Sequence, residues 1–402
     1  MVSTALHQLQ VRGVTFLAPE TNYVAPDVNP DRIASGVVIH PGCRLSGAEL
    51  AIGPGCVIGA EAPATVSDCQ LGAEVRLAGG FFDRATFLDG VKAGSGAHVR
   101  PGCLLEEKAT IAHSVGIKQT VFMPWVTAGS LINFCDALVA GGTSSKDHSE
   151  IGSSYVHFNF TPHRDKATAS LIGDVPRGVL LNQPPIFLGG QGGMVGPCAI
   201  AYGTVIPAGQ IWRGDITVPG HLVAKPAFRA PIDMPYNARC YPAIKRVIRS
   251  NLRYIGNIAA LDMWYRVVRA RFMLADPYSV ACYAGARLRL AEILDERMSR
   301  LDELAHKVEQ SLACVPDATA ADEHRAFVDG WPALKSTLTA WLGARECATV
   351  PEAVQAVVTA LPSADYLRAI QSLSVAATQT LTGWLEQAVA CVLNAGNWSL
   401  IR

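Results

Sequence analysis

The chain has 402 residues, enough for two or three domains. Half are hydrophobic, 17% are charged, and Lys+Arg and Asp+Glu both number 34, so the net charge is zero and nothing overall marks a nucleic-acid binder. No apolar run reaches membrane-spanning length, and Met1 to Gly13 lacks the basic start and apolar core of a signal peptide, so a soluble cytoplasmic protein without membrane insertion is expected.

Residues 1–32 read as an extended lead-in, with Pro19, Pro26 and Pro30 opposing regular helix. A six-residue beat follows. Val99, Leu105, Ile111, Ile117 and Met123 fall six apart, and Ile39/Leu45, Ile52/Ile58, Leu71/Leu77 and Ile200/Ile206 keep that spacing. Four residues after several of these stands a small one: Cys43, Cys56, Val75, Cys103, Ala109, Val115 or Thr204. A period of six is neither the 3.6 of a helix nor the 2 of an ordinary strand. It is the rung period of a hexapeptide-repeat parallel β-helix, in which the aliphatic residue fills the coil interior. The β-helix is assigned to 33–230, with inserted loops at 79–92 and 141–193. Loops extruded from a rigid solenoid are where chemistry collects. The eleven cysteines are odd in number and form no CxxC, which argues against a disulfide framework or a zinc site. Cys43, Cys56 and Cys103 occupy the small-residue slot and read as small hydrophobes.

Composition changes near Pro231. Ala230 to Tyr236 reads as a linker, and 237–402 as an all-helical C-terminal domain. Ile244, Val247, Ile248, Ile255, Ile258 and Ala259 form an apolar face, and Leu290, Leu294, Leu301, Leu304 and Val308 keep near-heptad spacing. Further helices are expected over 323–342, 351–361 and 364–393. Lys245, Arg246, Arg249, Arg253, Arg266, Arg269 and Arg271 suit either a phosphate or acidic partner, or a solvated face packed by neighbours such as Asp295, Glu296, Asp302 and Glu303. The balanced net charge favours the second.

The motifs His98-Val-Arg-Pro-Gly102, Ala128-Gly-Ser-Leu131, Phe158-Asn-Phe160, Leu171-Ile-Gly-Asp174 and Met194-Val-Gly-Pro197 follow in order between Gly13 and Ile216. In these residues about half the chain resembles the acetyltransferase domain of the bifunctional N-acetylglucosamine-1-phosphate uridyltransferase/glucosamine-1-phosphate acetyltransferase family. The resemblance implies a left-handed β-helix, a homotrimer with sites between subunits, a sugar phosphate or nucleotide sugar as substrate, and acetyl-CoA or another acyl-CoA as cofactor. The family's uridyltransferase domain has no counterpart here, and neither G-x-G-x-x-G nor G-x-x-x-x-G-K-[ST] replaces it, so uridyltransferase activity is not expected.

Carried over by position, the family's phosphate-holding Arg and Lys fall on Arg100 and Lys118, a bidentate fork and a point charge. The sugar-contacting Asn falls on Asn159 and its aromatic neighbour on Phe160. Ser130, Asn133, Glu150 and Lys166 complete the substrate-binding set. Ser130 stands where the family has its catalytic His, and a serine hydroxyl cannot take up a proton near neutral pH. His157 and His163, six apart and flanking Asn159, are therefore candidate catalytic bases; the alternative is that they are loop histidines bonded to backbone or solvent. Ser153, Gly190 and Ala208 fall on coenzyme contacts. Glycines in Gly189-Gly-Gln-Gly-Gly193 either let backbone N–H groups approach the cofactor or merely supply positive φ. Arg177 either touches a ligand phosphate or pairs with Asp174 or Asp165 as a strut. His113, His157 and His163 suggest a γ-carbonic-anhydrase-like zinc site, but their spacing does not match that family's and no metal is expected. Two functional classes remain: a CoA-dependent acyltransferase, or a non-catalytic sugar-nucleotide binder or trimeric scaffold.

Overall fold

The structure is a computed structural model that describes residues 4–158, 166–225, 233, 241, 244–312, 318–362 and 365–395. The linker assigned to Ala230–Tyr236 lies outside the described residues apart from Asp233. Short parallel strands stack into a triangular solenoid, followed by a helical region, as the six-residue beat and the later helical spacing predict. One ten-stranded sheet, from Thr15–Phe16 to Val205–Ile206, forms the first face. The second and third faces belong to one sheet, because Gly116–Phe122 and Asn133–Val139 bend from one face into the next. The bends fall at Gln119 and Asp136, both with positive φ.

The beat marks the interior. Val99, Leu105, Ile111, Ile117 and Met123 are all buried, and so are the small residues that follow them. Each buried aliphatic or aromatic side chain contributes about 1.5–3 kcal/mol, so stacked interior columns hold strands that are mostly two to four residues long. Burial pushes the Cys56 and Cys103 thiols up to about 12, and raises Cys43, which suits inert hydrophobes.

Three boundaries differ from expectation. Residues 1–32 are not an extended lead-in: helix α1 (Thr4–Val11) buries Leu6 and Leu9 on the end of the solenoid, and Thr15–Phe16 and Tyr23–Val24 already belong to the first coil. An open coil end exposes apolar interior and needs such a cap. Residues 79–92 are not an extruded loop either. Gly80–Asp83 and Ala85–Phe87 pair in register with the coils on both sides, and the turn is tightened by Gly79 (φ 157°) and Gly80 (φ 129°). The segment 141–193 is not one loop: Glu150–Ile151, Val156–Phe158, Ser170–Ile172 and Phe187–Leu188 are strands of the solenoid.

The short helix α2 (Val175–Gly178) lies at a corner. Helix α3 (Ile244–Trp264) runs through a π turn, Tyr265–Arg269, into α4 (Ala270–Met273). Then come α5 (Pro277–Ser311), α6 (Ala318–Ala344), α7 (Glu352–Ala360), α8 (Tyr366–Gln371) and α9 (Val375–Leu393). The helix expected over 364–393 is split because Ser374 caps a new start, its Oγ accepting from Ala377 N at 3.2 Å. Helix α5 packs on the third face, and a Cβ on Gly285 would meet the Gln70 side chain and sit 2.7 Å from Thr86 Oγ1.

The arginines of α3 and α4 serve this docking. Arg246 donates to Pro197 O at 2.8 Å, Arg253 lies 3.6 Å from Asp215, and Arg271 donates to Leu361 O at 2.9 Å. The partners of Arg246 and Arg253 are a solenoid carbonyl and carboxylate, and that of Arg271 is a carbonyl after α7; none is one of the acidic residues of α5 named from the sequence. Among the described residues no helix is long and apolar enough to cross a membrane.

Candidate functional site

Two outward-facing columns meet on the bare side of the solenoid. On the second face, Val99, Ile117 and Phe134 stack inside, so the residue after each points out. Those residues are Arg100, Lys118 and Cys135, side by side in successive coils. Arg100 Nη2 donates to Cys135 Sγ at 3.1 Å, and the thiol lies 3.5 Å from Asn133 Oδ1. Burial raises the Cys135 thiol, against the opposing pull of Arg100. Phe158 follows in the next coil, 37% exposed, and Phe81 stacks with His98 at 5.0 Å on the same face. Helix α5 borders this ladder. Burial raises Glu296, but hydrogen bonds and charge from Arg300, with Arg297 and Lys118, outweigh it and lower its carboxyl.

The second column runs along the corner between the first and second faces. In each coil the residue two after the inward one on the first face turns this corner. Ile111, Ala128, Ile151, Leu188 and Ile206 are inward, so the corner carries His113, Ser130, Ser153, Gly190 and Ala208. The following residues, Ser114, Leu131, Ser154, Gln191 and Gly209, all have positive φ. Backbone bonds tie the column: Leu131 N to His113 O (3.1 Å), Ser154 N to Ser130 O (2.8 Å), Gln191 N to Ser153 O (2.7 Å) and Gly209 N to Gly190 O (2.9 Å). Ser130 Oγ is 2.9 Å from His113 Nδ1, and Ser130 N donates to Ser153 Oγ at 3.2 Å. Four residues expected from the sequence, Ser130, Ser153, Gly190 and Ala208, are thus brought into one line beside Arg100 and Lys118.

The chain is similar to the bifunctional protein GlmU of Trichlorobacter lovleyi, 28% identical over 209 residues, covering 52% of this chain and 40% of that protein. It is 25% identical over 219 residues to GlmU of Nitratidesulfovibrio vulgaris (51% and 40%), and 29% over 157 residues to GlmU of Thermus thermophilus (39% and 32%). The solenoid half of this chain fits the GlmU acetyltransferase-domain family. The chain spans about two fifths of the length of the first two of these curated GlmU relatives. No protein-family model matches the sequence.

The other GlmU-derived positions scatter. Asn133 is exposed on the second face, next to the Arg100 ladder. Glu150 pairs with Thr127 and Phe187 on the first face, three residues ahead of Ser153. Lys166 is exposed, and its carbonyl accepts from Arg297 at 3.4 Å. Asn159, Phe160 and His163 lie outside the described residues. Arg177 is not on the coenzyme corner: it stands on α2, ahead of Phe187–Leu188, whereas Gly190 follows that strand. Its Nε bonds Asp174 Oδ2 at 2.9 Å, making it the strut, and it lines a cavity of about 470 Å³ against α3 and α9.

His157 is corrected as a base. It keeps the beat six residues after Ile151 and so points inward, between Phe134 (ring centroids 5.3 Å apart) and its register partner Met194. It is 5% exposed. Nδ1–H donates to Cys135 O at 2.6 Å and Nε2 accepts from Ser170 Oγ at 2.8 Å, so neither nitrogen is left for a substrate. The zinc alternative fails with it, because His113 faces solvent while His157 faces the interior. Among the described residues no group of three His, Cys, Asp or Glu is arranged to hold a metal.

Burial pushes the His157 pKa below its ordinary 6.5, although the Cys135 carbonyl opposes this. The native state thus holds the ring neutral while the unfolded chain protonates it. This stability is fully present above about pH 6.5 and is lost as pH falls towards the native pKa, at up to about 1.4 kcal/mol per pH unit. Urea titrations at pH 7.5 and 5.5 should show this slope in the wild type and not in His157→Gln.

Sequence reasoning missed His113 as the neighbour of Ser130. The signal was present, since His113 follows Ile111 by two residues as Ser130 follows Ala128.

Proposed function

We propose that this chain is a GlmU-like, CoA-dependent acyltransferase related to UDP-N-acetylglucosamine biosynthesis. An acyl-CoA lies along the Ser130–Ser153–Gly190–Ala208 corner, where small residues leave backbone accessible. A sugar phosphate or nucleotide sugar lies on the second face, with its phosphate at Arg100 and Lys118. The observation that carries the reading is the meeting of the two columns: a cationic ladder suited to phosphate beside a corner suited to an extended, amide-bearing arm. The third face is covered by α3 and α5, so a homotrimer would assemble through the two bare faces.

Calorimetric titration with acetyl-CoA, with and without UDP-N-acetylglucosamine, tests this. Acetyl-CoA should bind saturably, and Gly190→Leu should weaken it at least tenfold. A side chain there would sit 2.8 Å from Ser153 O and cover the corner. Arg100→Ala should weaken the sugar nucleotide by about 10- to 100-fold, the loss of one charge-assisted hydrogen-bonding group. Ser130 in place of an imidazole favours the second reading, a non-catalytic sugar-nucleotide binder. Sugar-nucleotide binding without any coenzyme binding would establish that reading and overturn the first.

A further inference from the structure

We propose that His113 is the general base of this acyl transfer and that Ser130 fixes its tautomer, an inference that rests on the acyl-transfer reading. His113 is the exposed imidazole of the corner column, one coil ahead of Ser130, and its Nδ1 lies 2.9 Å from Ser130 Oγ. Among the described residues nothing else bonds the ring. If Nδ1–H donates to the hydroxyl, the Nε2 lone pair faces outward. Ser130 is itself held, its N–H donating to Ser153 Oγ and its carbonyl accepting from Ser154 N, so the hydroxyl is presented from a fixed backbone. Lys118 lies five residues further along the same coil, at most about 17 Å of extended chain away.

The other described histidines of this region are otherwise engaged. His157 is inside the coil with both nitrogens bonded. His148 Nδ1 lies 3.0 Å from Ser145 O within its loop, and His98 stacks on Phe81.

In the step, an amine or hydroxyl of the acceptor attacks the thioester carbonyl and its proton passes to His113 Nε2. The C–S bond then breaks, and the departing CoA thiolate takes that proton from the imidazolium. His113 is the catalytic residue and Ser130 a positioning residue.

The first test is nitrogen NMR of ¹⁵N-histidine-labelled protein at pH 8.5. His113 should be the Nδ1–H tautomer in the wild type, revert to the commoner Nε2–H form in Ser130→Ala, and be restored by Ser130→Thr. An Nε2–H ring in the wild type overturns the proposal. The second is thioester consumption from acetyl-CoA with glucosamine 1-phosphate as acceptor. His113→Gln should lower the rate at least 100-fold with coenzyme affinity unchanged, the usual scale of a lost base. Ser130→Ala should lower it about tenfold, with rescue in Ser130→Thr. A wild-type rate in His113→Gln overturns the base and leaves acyl transfer standing. A wild type that binds no acetyl-CoA, or binds it and consumes none, overturns the acyl-transfer reading and the base with it.

Discussion

Replacing Arg269 with methionine is expected to destabilise the protein by about 3–5 kcal/mol, the cost of removing one partner from a buried ion pair. The guanidinium is 1% exposed in the π turn between α3 and α4. It lies 3.2 Å from Glu106, bonds both carboxylate oxygens of Glu107, one at 2.9 Å, and covers the Tyr366 ring at 3.6 Å. Tyr265 Oη donates to Glu106 at 2.6 Å. Burial raises the Glu106 carboxyl, and the Arg269 charge is the main force opposing this. Without that charge, the buried Glu106 carboxylate and its half-buried neighbour Glu107 face each other uncompensated. The loss should appear as a lower urea midpoint. It should shrink in the Glu106→Gln/Glu107→Gln background, where no charge is stranded. A loss below about 1 kcal/mol would mean that water reaches the cluster, as it does for exposed pairs.

Adding a single methyl at Gly152 is expected to cost about 2–3 kcal/mol, towards the upper end for overpacking. Its Cβ would fall against Gly190 N, 2.7 Å from Gly190 Cα and 3.0 Å from Gly189 C. All of these are backbone atoms of the next coil and cannot rotate aside. Gly129 and Gly189 stand in the same position of their own coils, and a Cβ there would meet Ser153 N at 2.7 Å and Pro207 O at 2.6 Å. Gly152→Ala should therefore force two coils apart at the corner, lowering stability and, on the proposed acyltransferase reading, weakening acetyl-CoA binding as well. The same substitution at Gly383, with nothing within 4 Å on α9, should instead stabilise by about 0.5–1 kcal/mol through helix propensity. Thermal unfolding of the two variants separates crowding from backbone entropy. Equal midpoints would disprove the close stacking.

The solenoid was legible because its interior repeats in the sequence: a stacked coil needs an aliphatic side chain at each inward position, so Val99, Leu105 and Ile111 announce it. Coil length was less legible. Leu77 pairs with Ala93, sixteen residues on, and Ala128 with Ile151, twenty-three on. Lost or added residues at corners leave the stacking intact while breaking the beat, which is why 79–92 reads as a loop and is a strand pair. His157 shows the opposite failure. It keeps the beat, and the beat means inward, but a histidine there reads as chemistry until its two hydrogen bonds are seen. Ser130, Ser153, Gly190 and Ala208 were found through the GlmU resemblance, and each also sits two residues after an inward position. The His113–Ser130 contact joins residues seventeen apart across two coils, so it depends on coil stacking that local spacing does not report.

Helix α5 acts on the solenoid as a splint. Its 35 residues make a rod of about 50 Å, while stacked coils are about 4.8 Å apart. It touches the strands at Ala51–Ile52, Gln70–Leu71, Ala85–Phe87 and Cys103–Leu105, and its Arg297 grips Asp136 at 2.7 Å. In a bare stack each coil is held only by its neighbours, and melting creeps in from the ends. Here one stiff member is fastened to several successive coils at once, so none of them can open without straining the rest. Coils between Ile52 and Val139 should therefore lose their amide protection in a single concerted step, while those beyond the reach of the rod fray one at a time.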